Sequence, residues 1–145
     1  MVLGQRAAAF VAALGLLGCP NQEEAVAPAS GEIRVFYLPF SVETFLPVTV
    51  DSIEEDAKCK FSFRPTNEDI ATLRDLLSRV IATGFDRKRV RLKLVGLEEV
   101  ALYVDAEGGV QKEHGKIGRL EPSALSAMEA YIETTAIGAG CDPHR

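Results

Sequence analysis

The chain is 145 residues long, 47% hydrophobic and 26% charged, with a formal net charge of −5. That length suits one domain able to bury about two-thirds of its unfolded surface. The acidic balance speaks against nucleic acid as a partner, because such a chain repels a phosphate backbone.

The first element reads as an export segment. One cation, Arg6, precedes an apolar run from Ala7 to Leu17, and the run closes on Leu16-Leu17-Gly18-Cys19. A cationic start, a short apolar stretch and a small residue at the cleavage point make a secretory signal. The run holds about 12 residues, short of the roughly 20 that a membrane-spanning helix needs. Ala27-Pro28-Ala29 is a second small-x-small pattern, but it lies well beyond the end of the run. A cysteine directly after the small residue resembles the lipobox of bacterial lipoprotein precursors. The resemblance covers residues 1–19. It implies removal of residues 1–18, acylation of Cys19 (the lipidation site) and a lipid-anchored protein of the cell envelope, facing the periplasm. Pro20 stands where an aspartate retains some lipoproteins at the inner membrane, which favours the outer membrane. Each buried methylene contributes about 0.8 kcal/mol, so two or more acyl chains anchor stably without a spanning segment.

With Cys19 acylated, Cys59 and Cys141 remain. In an oxidising compartment an even remainder reads as one disulfide, closing a loop of about 80 residues. Two buried free thiols are the alternative. Residues 19–31, the acylated cysteine followed by PNQEEAVAPASG, read as an extended tether. The twelve residues after Cys19 reach at most about 40 Å. A single domain is expected over 32–145.

Within it, Ile33 to Leu38 is rich in β-formers and ends at Pro39, as a strand does. Phe45 to Val50 is a second candidate strand, weakened by Pro47. Lys58 to Arg64 alternates, turning Cys59, Phe61 and Phe63 inward and Lys58, Lys60, Ser62 and Arg64 outward. Asn67 to Thr83 predicts a helix capped by Thr66 or Asn67 and stopped by Gly84, its stripe made of Ile70, Leu73, Leu76, Leu77, Val80 and Ile81. Lys88 to Val95 predicts a strand with Val90, Leu92 and Leu94 inward. Val100 to Asp105 follows, then a reversal at Gly108-Gly109 and a return over Val110 to Glu113. A last helix opens at Pro122, with Leu125, Met128, Tyr131 and Ile132 on one side, ahead of an irregular tail.

The order is β-β-β-α-β-β-β-α. Short links between the later strands require antiparallel pairing. One apolar face per element gives an α+β two-layer sandwich, its mainly antiparallel sheet carrying two amphipathic helices on one face and water on the other.

No catalytic constellation is apparent, and a non-enzyme is expected. His114 sits in a turn-like context beside Gly115, and His144 lies in the tail. His-x-x-x-His and Cys-x-x-Cys spacings are absent, so neither a metal nor a cofactor is expected. The acidic cluster Asp51, Glu54, Glu55 and Asp56 lacks the glycines of a calcium loop and reads as a charged loop that balances nearby cations. One feature stands out: Lys58, Lys60, Arg64, Arg87, Arg89, Arg91 and Lys93 fall on outward positions of two strands. Like charges facing each other on neighbouring strands are unfavourable. Either a spacer strand separates them, or the face is held for an anionic partner, an acidic protein or an anionic envelope polymer. The same residues also discourage edge pairing. A contact through an apolar edge near Phe36, Tyr37 and Phe40 is the alternative, as in an accessory subunit of an envelope complex.

If the export reading is right, globomycin blocks processing of the precursor and labelled palmitate enters the product. Unaltered processing together with an unlabelled product refutes it.

Overall fold

The computed structural model describes residues 31–145; the export segment, Cys19 and the tether up to residue 30 lie outside the described residues. Seven strands form one open antiparallel sheet: β1 (Ile33–Tyr37), β2 (Cys59–Phe63), β3 (Val80–Ala82), β4 (Val90–Val95), β5 (Leu102–Asp105), β6 (Gly109–Lys112) and β7 (Gly115–Leu120). Their spatial order is β2-β1-β4-β5-β6-β7-β3. Two long helices, α2 (Asn67–Ser78) and α3 (Pro122–Gly138), contact each other and pack with the sheet around one core. The architecture is α+β, as alternation in the strands and stripes in the helices lead one to expect.

That core gathers Ile33, Val35 and Tyr37 of β1, Leu92 and Leu94 of β4, Leu73 and Leu77 of α2 and Met128 and Ile132 of α3. Thr66 and Asp69 build a capping box at the start of α2, each satisfying the other's backbone N–H at 3.1 and 2.8 Å. Tyr131 of α3 donates its phenolic hydrogen to Asp69 Oδ1 at 3.0 Å, tying the two helices at that end. Burial and this bond push the Tyr131 phenol up to about 12.

The opposite sheet face departs from expectation. In place of a strand over Phe45 to Val50, residues 38–57 fold across that face, with strand-like pairing limited to an isolated parallel bridge, Val48 to Arg89, among the described residues. The excursion carries a one-turn helix, α1 (Ile53–Asp56). Leu38, Val48, Ile53 and Ala57 bury themselves against Val90, Ala101 and Tyr103, making a second small core. The predicted wet face is therefore covered over the middle of the sheet. Pro47 withholds a ladder N–H, and Ile53 supplies an apolar anchor that a loop would lack.

Two other elements differ. The helix expected to reach Thr83 stops at Ser78, because Val80 and Ile81 are taken into β3, paired with β7. Strand β7 was hidden by its own glycines. Gly118 has φ +135°, and a Cβ there would lie 2.6 Å from the Ala82 carbonyl oxygen, so glycine is what lets β3 approach.

Cys59 on β2 and Cys141 in the tail stand at disulfide distance, their Cα atoms 5.8 Å apart and 82 residues apart in sequence. The chain-entropy model credits a loop of this length with roughly 4–5 kcal/mol. Denaturant titration with and without reductant should show a loss of that order. Coincident curves would mean the bridge carries no such stabilisation.

Candidate functional site

The seven outward cations expected on one face separate into three environments. Strand β1 lies between β2 and β4, so it is the spacer, while β5 pairs on the far side of β4. Phe36 on β1 faces Lys60 on one side and Lys93 on the other, and Arg34 faces Ser62 and Val95. Aromatic and hydroxyl groups thus interrupt the row of like charges.

On β4 the cations are used inside the molecule. Lys93 Nζ reaches Glu54 Oε1 of α1 at 2.6 Å and sits 5.3 Å from the Tyr103 ring centroid and 5.9 Å from that of Phe36. Burial pushes the Lys93 ammonium down, but the bond to Glu54 and the charges of its neighbours lift it above its ordinary value. Glu54 is held below the usual carboxylate range, first by Lys93 and further by Arg34 and Lys60. Glu54 of the acidic cluster is thus an internal counter-charge for Lys93.

Arg91 is a correction. It was expected outward and wet, yet it is 3% exposed. The register shifts between Val90 and Leu92, which changes the parity of the strand. Val90 turns to the second core, away from Leu92 and Leu94, and Arg91 is enclosed. Its Nη1 donates to Val90 O at 3.0 Å and its Nη2 to Val42 O at 2.9 Å, while Nε has no partner. Arg89 pairs with Glu107 at 2.9 Å. Reversing Arg89, Arg91 and Lys93 together would therefore damage folding, not only a surface.

Arg87 stands exposed on the turn before β4, beside a cleft of about 360 Å³ lined by Phe85, Gln111 and Gly118. The buried Asp105 fixes that turn: its Oδ2 accepts from Asp86 N at 2.6 Å, and its Oδ1 from Glu107 N and Gly109 N at 2.8 Å each.

Lys58, Lys60 and Arg64 remain on and beside β2, exposed and in no ion pair among the described residues; Lys60 Nζ donates to Glu55 O at 3.0 Å. Arg34 joins them. It was missed although the alternation Ile33, Val35, Tyr37 already placed it outward. β2 is also an edge, with no strand on its far side among the described residues.

The apolar edge near Phe36, Tyr37 and Phe40 is not on offer. Tyr37 and Phe40 are buried, and Phe36 is half-buried against the second core. Tyr37 Oη donates to Glu133 Oε1 at 3.0 Å, where His144 Nε2 also arrives at 3.0 Å. His114 is exposed on the β6–β7 turn. Among the described residues, no group of three or more His, Cys, Asp or Glu side chains has the arrangement to hold a metal, and no helix is long and apolar enough to cross a membrane. In comparisons with known proteins, no family model, curated protein or solved structure matches this chain.

The Lys93–Glu54 pair has a pH signature. Because Glu54 titrates below its ordinary value, its contribution is present above the usual carboxylate range and lost as pH falls through the lowered value. Its side chain is about half exposed (49%), so Glu54→Gln should cost only about 0.2–1 kcal/mol at neutral pH. The variant should also lose part of the acid limb of a denaturant-midpoint profile below about pH 4. An unchanged acid limb would assign that limb to other carboxylates.

Proposed function

We propose that this protein is a lipid-tethered, non-enzymatic binding module of the bacterial envelope. Cys19 carries the anchor, and the open margin of the sheet at β2 docks an acidic partner. The observation that supports this most directly is the coincidence of an unpaired strand edge with four exposed cations, Arg34, Lys58, Lys60 and Arg64, in an otherwise acidic chain. An extended segment can add to such an edge through main-chain hydrogen bonds. Acidic side chains on that segment would then meet the cations on the outer face, while Phe61 and Phe63 keep β2 fixed to the core from the inner face. An anionic envelope polymer meets the same charges without the strand pairing.

Electrostatic docking of this kind weakens as salt rises. Immobilised polyglutamate serves as a stand-in for the acidic segment. The protein should be retained at low ionic strength and released by salt, and Lys58→Glu, Lys60→Glu and Arg64→Glu in combination should abolish retention with the thermal midpoint preserved. Undiminished retention by a folded triple variant would remove β2 from the reading.

A further inference from the structure

A second surface lies at the other end of the strands from the point where β1 begins. The excursion over 38–57 turns at residues 43–47, and there Phe45 is fully exposed and Leu46 is 76% exposed. They are adjacent, and both stand out from the domain. The tip is not a loose loop. Thr44 Oγ1 donates to Leu46 O at 2.7 Å, Val48 N donates to Lys88 O at 3.2 Å, and Arg91 Nη2 holds Val42 O from below.

Cations adjoin this apolar pair. A cleft of about 510 Å³ between the tip and the 86–89 turn is lined by Phe45, Leu46 and Pro47 on one side and Lys88, Arg89 and Arg91 on the other. Glu43 and Asp86 share its rim. Lys88 and the neighbouring Arg87 are exposed and form no ion pair among the described residues. Arg91, at the cleft floor, is buried without any carboxylate in contact and with its Nε unsatisfied. A buried guanidinium left without an anion is unfavourable. An exposed aromatic-aliphatic pair backed by cations matches the boundary between acyl chains and anionic head groups.

We infer that the 43–47 tip and the 86–89 turn form a second membrane contact, directed at a bilayer surface rich in anionic phospholipid. Phe45 and Leu46 enter the acyl boundary, and Arg87 and Lys88 meet head-group phosphates. This goes beyond the docking role of β2 and rests on the envelope reading only in that the anchor keeps the domain near a bilayer. A tether of twelve residues extends to about 40 Å, more than the roughly 17 Å length of a five-residue strand, so the tip can reach the surface that holds Cys19.

The chain contains no tryptophan, so Phe45→Trp in the full chain introduces a single indole at the tip. Phosphatidylglycerol vesicles should shift its emission to the blue, and phosphatidylcholine vesicles should not. Adding Arg87→Gln and Lys88→Gln should weaken vesicle affinity about thirtyfold, the scale set by losing two cations at an anionic surface. No shift with either vesicle overturns the inference, and an equal shift with both overturns its anionic character. A shift with inorganic phosphate alone reassigns the cleft to a free anion. Palmitate labelling of Cys19 is read separately, so failure of the anchor and failure of the tip contact are distinguishable.

Discussion

A cation on a sheet face can stay only if it keeps its water or finds a counter-charge or carbonyl acceptors, and this rule organises the molecule. Three of the seven strands, β1, β4 and β5, are covered on both faces, by the helices on one and by residues 38–57 on the other. Lys93 lies where that cover lands, and Glu54 of α1 meets it there. The buried Ile53 holds α1 on the sheet, and the ion pair beside it adds a directional contact. Exposed ion pairs contribute little, but one seated between two aromatic rings orients its element.

Once the excursion is in place, the remaining surface follows. The cover withdraws Arg91 and Lys93 from solvent, and Arg89 is engaged with Glu107. Of the seven cations expected outward, together with Arg34, those left without an ion pair and exposed lie in two regions, along β2 and on the turn before β4. The two regions thus differ in character. The β2 margin offers backbone edge and charge with its aromatics facing inward, whereas the tip offers charge beside outward aromatic and aliphatic side chains.

Much of this was legible in the residues. β-forming composition located β1, period-two alternation located β2 and the later part of β4, the segment after the Glu98-Glu99 turn anticipated β5, and the stripe through Leu73, Leu76 and Leu77 located α2. The parity of Cys59 turned it inward, toward the tail that carries Cys141. What was not legible has local causes. A bulge between Val90 and Leu92 leaves no mark in composition, yet it reverses which neighbour of Leu92 is buried. β7 contains Gly115 and Gly118, which read as turn residues in isolation; at Gly118 the close approach of β3 explains why glycine is needed. Val80 and Ile81 fit a helical stripe and a strand equally well, and pairing with β7 decides the matter. The excursion over 38–57 is the largest miss, because its apolar residues are scattered and acquire meaning only against Tyr103 and Val90.

The link between Cys59 and Cys141 also sets an order of events. Cys59 belongs to the margin strand and is made early, whereas its mate comes 82 residues later. Oxidation of this pair must wait until both helices and every strand of the sheet have been synthesised. The covalent tie therefore joins the margin strand to the far end of the domain, and it can close only on a chain whose described elements have all been made.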